Sequence, residues 1–185
     1  MNNLKKAAFR AFQKGMHLVM YLLPFKEPKL ASSLEEVSGI LRDEHLVKPL
    51  IVTDAGIVSA GLLVQLTDAL RGIPFSLYAD TVPNPTIDNI EHARKRYLEE
   101  GCDCLIALGG GSPMDCAKAI GARIAQPKKQ IAQMRGQMKI LRKTPVLIAI
   151  PTTSGTGSEA TLAAVVMDTQ THEKYALNDI SLLPR

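Results

Sequence analysis

The chain has 185 residues, of which 46% are hydrophobic and 22% are charged, a composition typical of a single globular domain with its own core. Its formal net charge of +4 comes from dispersed lysines and arginines, and with aromatic residues at 4% and no tryptophan we expect no nucleic-acid partner. The apolar runs are far shorter than the roughly 20 residues that span a bilayer, so we expect no membrane insertion.

Residues 1–30 are predicted to form an N-terminal extension, and residues 31–185 are predicted to form the main domain. The extension imitates a signal peptide, but Arg10, Gln13 and Lys14 interrupt it and no small-residue cleavage site follows Phe25. We expect it to pack on its own or a neighbouring subunit, and association with a membrane surface is the weaker alternative.

The three cysteines are grouped around one predicted strand, at Cys102, Cys104 and Cys116. An odd number without a spaced framework favours reduced thiols in a cytoplasmic protein. Alternation along a strand predicts that Cys102 and Cys104 share one face as small buried hydrophobes.

From about residue 34, helical patterns alternate with short, apolar, β-branched runs. The predicted helices lie at residues 34–43, 62–70 and 87–100, with another beginning beside the glycines at 109–111. The predicted strands lie at residues 50–53, 75–78, 104–108 and 146–150. The tail differs, because residues 162–168 and 174–178 flank a polar turn and predict an antiparallel hairpin.

Strands without clean polar alternation predict a parallel sheet covered by helices on both faces, which is a Rossmann-like α/β fold carrying a C-terminal β-hairpin. Ligands of such sheets bind outside the carboxyl ends of the strands. Those ends carry a turn at Asp54, a loop at 83–86, the glycines at 109–111 and a Thr-rich loop after Ile150. We expect these loops to converge on one crevice.

The glycine stretch at 109–111 joins an apolar strand to a helix and indicates a phosphate site. Glycines let backbone N–H groups approach an anion, and the positive end of the helix dipole favours it. We expect Ser112 to cap the helix, Pro113 to occupy its first position and Asp115 to complete a capping box. A plain tight connection is the alternative reading of such a turn.

Four sequence segments resemble those of the iron-containing alcohol dehydrogenase family. They are GGGSPMDCAK from Gly109, PTTSGTGSEAT from Pro151, VTD at Val52 and PNPT at Pro83. The resemblance implies a dehydroquinate synthase-like N-terminal domain that binds a nicotinamide dinucleotide, usually paired with a helical domain that holds iron or zinc. A glycerol dehydrogenase or dehydroquinate synthase type of enzyme fits the second string less well.

Carried over by position, the resemblance assigns a cofactor role to residues in several loops. Gly109, Gly110, Gly111, Ser112 and Pro113 resemble the pyrophosphate loop, and Asn84 resembles a contact on the cofactor side of the crevice. Thr152, Thr153 and Thr156 resemble a loop that holds cofactor through hydroxyl and backbone groups. Val165 resembles a wall residue, and Lys174 resembles a lysine that reaches the nicotinamide ribose.

Asp54 bears on the choice of cofactor. A carboxylate at this strand end can accept hydrogen bonds from both adenosine ribose hydroxyls and would repel a 2′-phosphate. We therefore expect NAD rather than NADP, and a carboxylate that only caps the turn before Gly56 is the alternative. Asp115 is interpreted mainly as a helix cap, although the resemblance places it near the nicotinamide end of the site and allows a polar contact there. Lys118 is interpreted as a structural or solvated lysine.

We assign neither a catalytic residue nor a metal ligand within this sequence. The family's metal ligands, one aspartate and three histidines, begin on a helix beyond the region that matches Pro184. Asp88 and His92 share helical spacing, but charged neighbours mark a solvated helix.

The resemblance thus implies the N-terminal half of an NAD-dependent enzyme acting on a small alcohol or aldehyde, in a homodimer, with the isolated chain expected to be a truncated, inactive form. A non-catalytic dinucleotide-binding module, or a remnant that associates with full-length relatives, is the alternative.

Overall fold

The computed structural model describes residues 28–185 together with Arg10 and Gly15. The expected N-terminal extension therefore lies almost entirely outside the described residues. The helices are α1 (Glu35–Asp43), α2 (Ala55–Ser59), α3 (Leu62–Ala69), α4 (Ile87–Glu99) and α5 (Gly111–Ala125). The strands are β1 (Pro49–Val52), β2 (Ser76–Tyr78), β3 (Cys104–Gly109), β4 (Gly136–Gln137), β5 (Val146–Pro151), β6 (Ala163–Asp168) and β7 (Glu173–Asn178).

A four-stranded parallel sheet forms the centre, in the order β2-β1-β3-β5. Its strands are almost entirely apolar because both faces are covered, which confirms the sequence prediction. One face packs against α1 and α3, through residues such as Leu41 and Leu66. The other packs against α4 and α5, through residues such as Ile90 and Ile120.

The predicted hairpin is also present, since β6 and β7 pair antiparallel and β4 adds a short third strand beside β7. Apolar residues of the hairpin, including Val166 and Leu177, join the core that α5 covers. Met167 of β6 donates its backbone N–H to the Pro85 carbonyl oxygen over 3.0 Å. This bond brings the hairpin beside the loop that begins at Pro83.

The two cysteines predicted to share a face lie in different cores. Cys102 belongs to the core on the α4 and α5 side, whereas Cys104 faces the α1 and α3 side. The prediction of a shared face is wrong because Cys102 precedes β3, in a turn where its N–H bonds to the Tyr97 carbonyl oxygen. Both thiols are buried and free, as is Cys116.

Among residues 28–185, no helix is both long and apolar enough to cross a membrane.

Candidate functional site

The loops at the carboxyl ends of the parallel strands meet around one open cleft of about 500 Å³. Its lining residues come from the segments 54–57, 81–83, 110–113 and 152–153. The register of the sheet causes this convergence, because β1, β3 and β5 run parallel and end at the same edge. The crevice expected from the sequence is therefore present.

The floor of the cleft is the sharp turn from β3 into α5. Gly109 has a φ of 145°, and a Cβ built on it would lie 2.7 Å from Cγ of Pro113. Its carbonyl oxygen accepts the N–H of Thr152 over 3.0 Å, which ties the glycine turn to the end of β5. Only glycine fits this position, because both its backbone conformation and the Pro113 ring exclude a side chain.

The prediction that Ser112 caps α5 is wrong. The helix begins at Gly111, its N-cap residue is Gly110, and no side chain caps it. Ser112 is already inside the first turn, where its hydroxyl oxygen accepts the N–H of Asn84 over 3.2 Å. Because the first N–H groups of a helix have no intrahelical acceptor, the uncapped start of α5 presents donors to the cleft.

The glycine turn and the Thr-rich loop lie against each other. A Cβ on Gly110 would lie 3.0 Å from Oγ1 of Thr153, and one on Gly111 would lie 3.7 Å from Cγ2 of Thr156. Both threonines are exposed. Because the glycines carry no side chains, the threonines pack directly against the backbone of the turn, and Gly110, Gly111 and Thr153 line the cleft together.

Asp54 lies at the opposite wall of the cleft and caps α2. Its Oδ1 accepts the N–H of Ile57 over 2.9 Å, so the capping interpretation describes a contact that the structure contains. The side chain is half-buried and lines the cleft, and a carboxylate has acceptor sites on two oxygens. Capping and binding of ribose hydroxyls are therefore compatible at this residue.

A second group of expected site residues gathers beyond Ser112. Asn84 has a left-handed backbone with a φ of 56°, and its side-chain oxygen accepts a hydrogen bond from Nζ of Lys174. These residues are 90 positions apart in sequence. They meet because the hairpin is bonded to the loop containing Asn84, a contact that only the fold reveals.

Asp115 does not cap α5, so its main sequence interpretation, the helix cap, is wrong. Burial raises the pKa of its carboxyl from 3.8 to about 6, while the backbone N–H of Val165 and the ammonium groups of Lys118 and Lys174 oppose the rise. The Asp115 carboxyl is thus influenced by the backbone N–H of Val165 and by the ammonium group of Lys174. The sequence favoured the cap over a polar contact because the spacing to Ser112 imitated a capping box.

Within the part of the chain that the structure describes, no three His, Cys, Asp or Glu side chains lie close enough together to hold a metal ion. Asp88 and His92 both lie on α4, and among residues 28–185 they belong to no such group of three.

Comparisons with known proteins agree on one family. The family model for iron-containing alcohol dehydrogenase matches residues 30–185. The 4-hydroxybutyrate dehydrogenase of Cupriavidus necator is 38% identical over 178 residues, covering 92% of this chain and 44% of that protein. The lactaldehyde reductase of Escherichia coli (strain K12) is 35% identical over 154 residues, covering 80% of this chain and 40% of that protein.

Solved structures show the same fold. A 1,3-propanediol oxidoreductase superposes with a TM-score of 0.79 at 30% identity, over 86% of this chain and 41% of that one. A sulfoacetaldehyde reductase from Bifidobacterium kashiwanohense, in complex with NAD+, gives a TM-score of 0.74 at 27% identity. This match covers 87% of this chain and 43% of the reductase chain. The chain spans less than half the length of each of these relatives.

Proposed function

Because the chain belongs to the iron-containing alcohol dehydrogenase family, we propose that it supplies the dinucleotide-binding half of an NAD-dependent alcohol dehydrogenase. The reaction is hydride transfer between a small alcohol or aldehyde and the nicotinamide ring. The observation that carries the proposal is the cleft in which the uncapped N-terminus of α5 faces the Thr-rich loop.

The cleft fits the pyrophosphate of a dinucleotide. Gly110, Gly111 and Thr153 all line the cleft, so the backbone of the glycine turn borders the space that a ligand would enter. The first N–H groups of α5 and the positive end of its dipole favour an anion at this point. Gly109 to Pro113, with Thr152, Thr153 and Thr156, are the residues that would hold the phosphates.

The remaining polar residues extend the site in both directions from the phosphates. Asp54 would accept hydrogen bonds from the adenosine ribose hydroxyls, which favours NAD over NADP because a 2′-phosphate would meet a carboxylate. Asn84 and Lys174 are already bonded to each other and would orient the ribose next to the nicotinamide, with Val165 as the wall. The bound nicotinamide supplies the hydride acceptor or donor.

The metal-dependent step needs donors that this fold does not gather among its described residues. A divalent ion acts in such chemistry as a Lewis acid on the alcohol oxygen. We therefore assign the present residues to cofactor binding and orientation, and we expect little or no turnover from the 185-residue chain alone. The substrate, a homodimer and a cytoplasmic location remain predictions.

The test is a fluorescence titration of the 185-residue chain with NADH and, in parallel, with NADPH. Saturable binding that prefers NADH supports the proposal. A folded chain that binds neither nucleotide contradicts it. Binding without activity, even when the helical domain of a relative is added, favours the alternative of a non-catalytic binding module.

Two variants isolate the charge of Asp54 from its cap. Asp54→Asn keeps an oxygen that can accept the Ile57 N–H, whereas Asp54→Gly removes both cap and charge. If the carboxylate selects against the 2′-phosphate, both variants bind NADPH better relative to NADH. An unchanged ratio of the two affinities in both variants would show that Asp54 only caps α2.

A further inference from the structure

Lys118 is a buried cation that the proposed binding site does not use directly. It lies on α5 with 1% of its surface exposed. Its Nζ lies 2.6 Å from the Ser158 carbonyl oxygen, 2.7 Å and 3.0 Å from the carbonyl and hydroxyl oxygens of Thr161, and 3.0 Å from the Ala163 carbonyl oxygen. The three donors of an ammonium group are therefore all engaged.

These acceptors occupy the turn that follows the Thr-rich loop. Residues 158–160 form a short 3₁₀ turn and β6 begins at Ala163. The other end of the loop is fixed by the bond from the Thr152 N–H to the Gly109 carbonyl oxygen. The Thr-rich loop is thus held to the glycine turn at its start and to α5 at its end.

Two opposing effects act on the charge of Lys118: burial, the larger one, lowers the pKa of the ammonium group, and neighbouring carboxylates partly offset it. The charged groups that act on it are Asp115 on α5 and Glu159 on the 3₁₀ turn, which favour the ammonium form, while Lys174 on β7 acts on Asp115. Charge-assisted hydrogen bonds are stronger than neutral ones, and unpaired buried acceptors are costly. Removing the ammonium would leave the carbonyl oxygens of Ser158, Thr161 and Ala163 without the hydrogen bonds that tie them to Lys118.

We propose that Lys118 is a positioning residue for the dinucleotide, whose ammonium holds the Thr-rich loop at the distance from the glycine turn that the ligand requires. This inference rests on the proposed function. Lys118 does not line the cleft, so it acts through the loop rather than through contact with the ligand. It differs from Lys174, which is exposed and stands beside Asn84.

The test uses graded variants of the 185-residue chain. Lys118→Met removes the ammonium and keeps the apolar stem, and Thr161→Val removes one of the acceptors. Thr144→Val is the matched control, because the Thr144 hydroxyl also donates to a carbonyl oxygen, that of Ser181, outside the cleft. Each variant is titrated with NADH, and amide hydrogen exchange is followed in residues 152–163.

We expect NADH affinity to fall at least tenfold in Lys118→Met and two- to fivefold in Thr161→Val, with faster exchange in residues 152–163. Thr144→Val should keep the parent affinity and the parent exchange in that segment. If Lys118→Met fails to fold, the NADH affinity and the hydrogen exchange of Thr161→Val test the inference instead. Parent affinity and parent exchange in Thr161→Val would overturn the inference.

A pH series on the parent chain gives a second readout. Burial lowers the pKa of Lys118 to about 8, so the ammonium loses a proton above that pH and donates one hydrogen bond fewer. NADH affinity should weaken as the pH rises from 7 to 9, and Lys118→Met should remove that part of the decline. A pH profile shared by parent and variant would contradict the role of Lys118.

Failure of the two proposals can be told apart. A parent chain that does not bind NADH contradicts the proposed function. In that case, faster exchange of residues 152–163 in Thr161→Val would still support the link between Lys118 and the loop, and unchanged exchange would overturn it.

Discussion

Substitution of Gly110 by alanine tests whether the backbone of the glycine turn contacts the ligand. The φ of −86° and ψ of −157° suit alanine, and the new methyl group would lie 3.0 Å from Oγ1 of Thr153. Thr153 is exposed and can rotate, so we expect a loss of folding stability of no more than about 1 kcal/mol. The methyl group, however, would occupy the approach of a phosphate to the N–H groups of α5.

The affinity loss can be bounded from the contact that is removed. A hydrogen bond to a charged group contributes about 1.5–3 kcal/mol, and every 1.4 kcal/mol corresponds to about a tenfold change in Kd. Gly110→Ala should therefore weaken NADH binding by about tenfold to a hundredfold. The assay is the NADH fluorescence titration, with urea denaturation of each variant to measure its stability.

Gly39→Ala is the matched control for that variant. Gly39 lies inside α1, and a Cβ there would meet no atom within 4 Å. The substitution should stabilise the chain by about 0.5–1 kcal/mol, because alanine is the better helix former. It should leave NADH affinity unchanged. Parent affinity in Gly110→Ala would refute the placement of the pyrophosphate at the turn.

Three further variants test other parts of the structure by urea denaturation. Gly109→Ala combines a φ of 145° with a contact of 2.7 Å to Pro113 and should cost about 2–4 kcal/mol; a loss below 1 kcal/mol would contradict the strained turn. Asp179→Ala should cost about 3 kcal/mol, because the buried carboxylate accepts the N–H groups of Ile140, Leu141 and Ser181. Asp115→Asn should stabilise the chain at pH 7 by on the order of 1–3 kcal/mol and change little at pH 4. The folded chain holds the proton of Asp115 up to a pKa of about 6, whereas the unfolded chain loses it near 3.8, so the parent loses stability between these pH values. Equal pH dependence in parent and Asp115→Asn would contradict this account.

Local sequence patterns were sufficient to predict most of the helices and strands. Apolar runs such as that from Leu105 to Leu108 predicted the parallel strands. The helix predicted at residues 87–100 is present as α4, and the Thr86 hydroxyl at its start accepts the N–H of Asn89. The convergence of loops also followed from sequence, because parallel strands with intervening helices end at one edge. The short helix α2 was not predicted, since five residues carry too little periodicity.

Polar side chains near the site were harder to assign. The spacing from Ser112 to Asp115 satisfied the capping-box pattern, yet the helix begins earlier and Asp115 turns to Val165. Lys118 had no sequence signal that separated a solvated lysine from a buried one. Such residues depend on partners from distant segments, and local spacing contains no information about those partners.

The sequence by itself determined the family, the parallel sheet and the glycine turn, because strand periodicity and a long contiguous motif are local properties. The tertiary structure alone decided that Lys174 meets Asn84 and that Lys118 holds residues 158–163. Both contacts depend on how the hairpin packs on α5. That packing comes from the shared core beneath Val166 and Leu177, which brings together segments that are far apart in sequence.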